Sequence, residues 1–291
     1  LRRALVIGAI PVVVLIMFVL TPRMNLADLS IGAYDSLIRG LAQTREGIST
    51  QENDQSATAN VHQLLMYEEG PTATVSVRKD DQTISMAING RTNASDSIYD
   101  MPTQVMLGQL PLFVAPRIEK GLIIGFATGI TVGSMLQSPI QSVTCIELEP
   151  GTVNGSRFFQ HVNNLPLEDS RSRLIIDDAR TYLRVTPERY DIIVSEPSHP
   201  WVPGVANLFT QEFFELGRSR LNEQGVFVQW VQIYQLSTES LRSVLATYHK
   251  VFPHVLMFRV GGLNKGKDLL LFGSNQPLNL DRLSERLMDQ R

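Results

Sequence analysis

Glu196 is the side chain in this chain best placed to move a proton. It follows the apolar run Ile192-Ile193-Val194 and opens the proline-constrained stretch Glu196-Pro197-Ser198-His199-Pro200-Trp201. Transfer of an alkyl group from a sulfonium to an amine needs such a group, because a protonated amine has no lone pair to attack with. A desolvated carboxylate can take that proton and favour a cation beside it. A glutamate at a strand end can equally be a structural hydrogen-bond acceptor, so both roles stand for Glu196 at this point.

Two earlier acids fall at comparable places. The turn Gly125-Phe126-Ala127-Thr128-Gly129, with Gly133 after it, ends the apolar run from Gly121 to Ile124. Small residues there let backbone approach a ligand at a helix N-terminus, although they can also be purely steric. About twenty residues on, Glu147 ends the next apolar run, where a carboxylate can accept hydrogen bonds from two ribose hydroxyls. By strand alternation Glu149 points to the other face and is expected to be solvent-facing or to cap a helix. Asp177-Asp178-Ala179 closes a third run; Asp178 is placed to meet an adenine amino group, and an Asp before ARTYLRV also suits a helix N-cap.

Other chemistries find less support. The five histidines, 62, 161, 199, 249 and 254, form no spacing with carboxylates or with the single cysteine that suggests a metal site, so no metal is expected. Ser195 and Ser198 lack the glycine-flanked elbow of a hydrolase nucleophile. Cys145 sits in the apolar run SVTCIELE and reads as a small core residue. A net charge of -3 without a long basic run argues against a nucleic-acid partner.

These positions require an α/β scaffold. Strands are predicted near 121–125, 142–148, 173–177, 190–195, 225–231, 255–260 and 268–273, the last two as an antiparallel hairpin closing the sheet edge. Helical spacing marks 101–113, 210–221 and 237–251, with Thr210 and Ser237 available as N-caps. Alternation of this kind gives a doubly wound sheet with ligands at its strand ends. Before it, TATVSV and TISMAI alternate on either side of Arg78-Lys79-Asp80-Asp81-Gln82, a β-hairpin signature.

The N-terminus has another character. Residues 4–22 carry no charge and are almost wholly apolar, nearly enough at about 1.5 Å per residue to cross a ~30 Å hydrocarbon core. The predicted organisation is a transmembrane helix over 1–24, a polar linker over 25–60, a small β domain with a lead-in helix over 61–115, and a Rossmann-like nucleoside-binding catalytic domain over 116–291. The chain begins with leucine and is read as the continuation of a longer, transporter-like product.

In order and spacing, YEEGPTATV, INGRTNAS, DMPTQVMLGQLPLF, the glycine turn, CIELEP, IIDDAR, YDIIVSEPSHPW, GVANLFTQEFFEL and GVFVQW resemble the spermidine synthase family of polyamine aminopropyltransferases, in its bacterial membrane-fused branch. The resemblance covers about 64–274. It implies a small N-terminal β domain before a Rossmann-like domain of the S-adenosylmethionine-dependent type, and decarboxylated S-adenosylmethionine as donor. Gly125, Thr128, Gly129, Glu147, Asp178 and Ala179 then fall at the donor site, Glu147 on the ribose and Asp178 with Ala179 at the adenine. Glu196 falls at the general-base position, with Gln104, Ser198 and His199 near the acceptor. The family's usual acids are replaced at Thr128 and His199, Glu196 stands where Asp is usual, and a Tyr-x-Glu pattern falls at Thr103 and Val105.

The expected activity is therefore aminopropyl transfer to an amine. The alternatives are methyl transfer from S-adenosylmethionine and a non-catalytic module sensing an adenosyl metabolite or polyamine beside a transporter. Because the donor is a cytosolic metabolite, the expected location is the bacterial inner membrane with the soluble domain on the cytoplasmic side. Family analogy adds a homodimer.

Overall fold

The computed structural model describes residues 63–80, 82–198, 204–234, 236–261 and 268–280. The expected membrane helix and linker lie outside these residues, as does His199. Among the described residues no helix is long and apolar enough to cross a membrane.

The larger sheet is built from β5 (Lys120–Ile124), β6 (Ser142–Glu147), β7 (Ser172–Ile176), β8 (Tyr190–Ser195), β9 (Leu221–Gln232), β10 (His254–Val260) and β11 (Asp268–Ser274), in the order β10-β11-β9-β8-β5-β6-β7. The strands from β5 to β9 run parallel, and β11 enters antiparallel between β9 and β10. The hairpin expected at the edge is thus present, with its second strand inside. Alternate residues feed two cores. Ile123, Cys145, Val194 and Val228 face helices α1 (Met101–Val114) and α2 (Ile130–Leu136) through Leu107, Val132 and Met135. Leu122, Ile193, Phe227 and Leu271 face α4 (Ala179–Val185), α5 (Gln211–Ser219) and α6 (Thr238–Val251) through Leu183, Phe213, Phe214 and Tyr248. Each such fully buried side chain stabilises the fold by about 1.5–3 kcal/mol. Cys145 is fully buried, and desolvation holds its thiol well above the usual range, so it is an inert core residue.

The helix ends follow the sequence. Thr210 accepts from the Phe213 amide and Ser237 from the Ser240 amide, capping α5 and α6 as their positions suggested.

The smaller unit exceeds the expected hairpin. Strands β1 (Gln63–Glu69), β2 (Thr74–Lys79), β3 (Ile84–Ile88) and β4 (Arg91–Ser95) form a four-stranded antiparallel meander. The outer strands were hidden because QLLMYEE is half-buried along its length and RTNAS is largely polar, so neither alternates. Asn89 and Gly90, at φ 51° and 74°, make the tight two-residue turn between β3 and β4 that an Asn-Gly pair favours. Val75, Val77 and Met86 close on Phe159, which follows α3 (Pro150–Gly155) in the larger unit.

Glu149 locks the two units together. It is 3% exposed and caps α3 through the Gly151 amide at 3.0 Å, as one of the two expectations had it. The other, a solvent-facing side chain, is corrected: Oε2 accepts from the Thr72 amide (3.0 Å), the Thr72 hydroxyl (2.7 Å) and the Ala73 amide (2.9 Å) in the β1–β2 turn. Desolvation opposes ionisation there, yet the bonds from Gly151, Thr72 and Ala73 hold the carboxyl below its ordinary range.

Candidate active site

At the C-terminal ends of the parallel strands lies a cleft of about 640 Å³, a size suited to a nucleoside-sized ligand. Its floor includes Gly125, Glu147, Asp178, Ala179, Glu196 and Ser198, so six residues singled out in the sequence meet in one place. The roof comes from the smaller sheet, through Thr72 and Ala73 and through Ile88, Asn89, Gly90, Arg91 and Asn93. Sequence reasoning missed this roof. The Asn89-Gly90 dipeptide between two extended runs was the available signal.

Gly125 lets the floor close. Its φ is 100°, and a Cβ there would stand 2.6 Å from the Glu196 carbonyl oxygen. The Gly125 amide donates to the Ile146 carbonyl, and the Glu196 amide to the Ile124 carbonyl, both at 2.9 Å, so three strand ends are laced together.

Glu147 is held by the turn it faces. Its Oε2 accepts from the Phe126 amide at 2.8 Å and more weakly from Ala127 at 3.4 Å; its Oε1 accepts from the Glu149 amide at 2.8 Å. A carboxylate oxygen has two lone pairs, so these bonds fix the orientation and leave acceptor capacity toward the cleft. Asp178 takes the N-cap role, its Oδ1 accepting from the Thr181 amide of α4 at 2.8 Å, and it also lines the cleft.

Thr128, Gly129 and Gln104 do not line the cleft. Thr128 is 1% exposed and donates from its hydroxyl to Gln104 Oε1 at 2.6 Å, while Gln104 Nε2 donates to the Ser95 carbonyl at 2.9 Å. The Gln104 amide is thus engaged at both ends, bridging β4, α1 and the glycine turn. Gly129, at φ 80°, occupies the N-cap position of α2.

Behind the glycine turn the electrostatics change. Burial foremost, with Asp100 and Asp268 adding repulsion against a hydrogen bond from Thr131, pushes the Glu196 carboxyl up to about 8. Asp100 is pushed up to about 6, again by burial first, opposed by its bonds from Ser95. Although Asp100 precedes α1, it makes no cap bond to that helix; its Oδ2 accepts from the Ser95 amide and hydroxyl at 2.6 and 2.9 Å. Asp268, at the start of β11, accepts from the Thr103 hydroxyl at 2.7 Å and from Trp230 Nε1 at 3.1 Å. Both acids were missed. One reads as a helix cap, and the other's only signal is a charge opening the apolar run DLLLFGS.

Among the described residues no group of three or more His, Cys, Asp or Glu is arranged to hold a metal ion. The arrangement brings the carboxylates of Glu147, Asp178 and Glu196 to one cleft, in a Rossmann-like fold of the methyltransferase type. The spermine/spermidine synthase domain matches residues 101–261, more than half of the chain, and the chain belongs to that family. It is 22% identical over 222 residues to polyamine aminopropyltransferase 2 of Aquifex aeolicus, across 75% of this chain and 45% of that one. It is 31% identical over 156 residues to the polyamine aminopropyltransferase of Thermococcus kodakarensis, across 51% and 54%. The chain thus spans about half the length of these curated relatives. In fold it is similar to the spermidine synthase of Thermotoga maritima, with a TM-score of 0.67, 19% identity and coverage of 76% and 78%. A spermidine synthase in complex with the transition state analogue AdoDATO gives 0.64, 19%, 73% and 72%.

Proposed function

We propose that this protein transfers an aminopropyl group from decarboxylated S-adenosylmethionine to an amine, tethered to the bacterial inner membrane through residues 4–22 with its catalytic unit on the cytoplasmic side. The observation that carries the chemistry is the meeting of Glu147, Asp178 and Glu196 on one cleft floor. Family membership and the names of the relatives support aminopropyl over methyl transfer.

In this reading Glu147 accepts from the ribose hydroxyls, and Asp178 with Ala179 meets the adenine. The acceptor nitrogen attacks the carbon next to the sulfonium, the C–S bond breaks, and its electron pair returns to sulfur as the neutral thioether methylthioadenosine. The attacking nitrogen must shed a proton, and Glu196 receives it. A carboxyl that titrates near 8 is matched to that task, since proton acceptors work best when their pKa lies near the working pH. Ser198, on the cleft lining beside Glu196, stands on the acceptor side. Donor selection is the test. Calorimetry on the full chain should show decarboxylated S-adenosylmethionine and methylthioadenosine binding, with S-adenosylmethionine weaker; tighter binding of S-adenosylmethionine would favour methyl transfer instead.

A further inference from the structure

Two threonine hydroxyls reach Gln104 from the glycine turn and the helix after it, and they are held to different degrees. Thr128 donates to the Gln104 side-chain oxygen at 2.6 Å, whereas Thr131, in the first turn of α2, donates to the Gln104 main-chain carbonyl at 3.2 Å. Hydroxyl bonds to oxygen usually close to about 2.7–2.8 Å, so the second is easily given up. Thr131 also stands against Glu196, where its hydroxyl favours the ionised carboxylate. We propose that Thr131 is a positioning residue for proton transfer: its hydroxyl turns its one hydrogen between the Gln104 carbonyl and Glu196, and so gives Glu196 a partner in both charge states. This inference rests on the reading of Glu196 as proton acceptor and adds the residue that lets it change charge.

The surroundings suit such a switch. Thr131 is 2% exposed, so bulk water does not compete for its hydroxyl. Packing fixes the oxygen, while the hydroxyl hydrogen rotates to suit its partners, and the oxygen can accept as well as donate. Gln104 lies within α1, so its carbonyl keeps an amide partner from the helical ladder when the hydroxyl turns away.

The other groups that face Glu196 lack this freedom. Asp100, at the β4–α1 junction, and Asp268, at the start of β11, repel its charge and are themselves acceptors for Ser95 and for Thr103 with Trp230. An ionised carboxylate has no hydrogen to offer. Cys145 of β6 also senses the charge on Glu196, and its thiol is directed at the Gly125 carbonyl at 3.6 Å. While Glu196 is ionised, Thr131 donates to it. When an ammonium passes its proton to Glu196, the new carboxyl O–H donates to the Thr131 oxygen, and the Thr131 hydrogen returns to Gln104. One proton moves from nitrogen to Glu196, and Thr131 keeps its own. Without the hydroxyl, the ionised state alone loses a donor, and the balance tips toward the protonated form.

The test follows methylthioadenosine release by the full chain from decarboxylated S-adenosylmethionine and 1,4-diaminobutane across pH. Thr131→Val, which keeps the shape and removes the hydroxyl, should move the midpoint of the pH–rate profile up by about one unit and so lower the rate at pH 7 about tenfold. Methylthioadenosine affinity by calorimetry should stay within about twofold, because Thr131 is off the cleft lining. Thr131→Ser, which restores the hydroxyl, should return the midpoint to that of the wild type. Thr131→Ala removes the same hydroxyl and decides the matter if Thr131→Val does not fold. An unmoved midpoint in the variant without the hydroxyl, or an equal shift in Thr131→Ser, would overturn the inference. A wild-type rate that does not change through about pH 8 would instead overturn the reading of Glu196 on which it rests.

Discussion

Glu147 and Asp178 enter the cleft with carboxylates already oriented by backbone amides of strand-end turns, whereas Glu196 sits among acids contributed by distant parts of the chain. The first arrangement is built at strand ends. A strand ends, a helix begins, and the free amides of that junction, or of the one beside it, fix the acid. The second depends on tertiary packing: Thr103 and Asp268, which meet in it, are 165 residues apart. Local construction favours a fixed binding geometry, and assembly of like charges favours a group whose protonation can change.

The two regions should therefore respond differently to substitution. Glu196→Gln should cut turnover by roughly 10²–10⁴-fold while methylthioadenosine affinity changes little, measured by steady-state rates beside calorimetry. Glu147→Gln should do the converse, weakening the nucleoside by about 10–100-fold through loss of charged hydrogen bonds. If Glu196→Gln weakens the nucleoside as severely as Glu147→Gln does, the division between the regions fails.

Titration gives a second contrast, in rate and in stability. In the proposed mechanism Glu196 can take a proton only when ionised, so the wild-type rate should climb with pH up to about 8 and then level. Its folded pKa lies above the ordinary 4.5, so the fold gains from the protonated form. That contribution is complete below 4.5 and is lost as pH rises through 8. Thermal melts should accordingly show Glu196→Gln gaining on the wild type between pH 5 and pH 9. The smallest effect concerns the clamp that holds the roof: Glu149→Gln should lower global stability by about 1–3 kcal/mol in denaturant melts. Because the Glu149 carboxyl is held below its ordinary range, its contribution is present at neutral pH and fades as pH falls through that lowered value.

How much could be read from the sequence follows the same division. The parallel strands announce themselves as apolar runs, and Gly125, Glu147, Asp178 and Glu196 stand at or just beyond the ends of those runs, so the meeting of these residues in one cleft could be read from the sequence. Glu149 was read as either solvent-facing or helix-capping, and only the cap holds; its bonds to Thr72 and Ala73 span more than seventy positions and leave no local trace. The outer strands of the small sheet lack alternation because one is half-buried throughout and the other largely polar. Asp100 and Asp268 look like a cap and a strand-edge charge until the fold brings α1 against β11.

The most direct measurement mixes the full chain with decarboxylated S-adenosylmethionine and 1,4-diaminobutane and follows release of methylthioadenosine beside formation of the aminopropylated amine. The account predicts equal amounts of both products, at a rate that rises with pH toward about 8. A protein that binds the nucleoside firmly and releases no methylthioadenosine at any pH would contradict it.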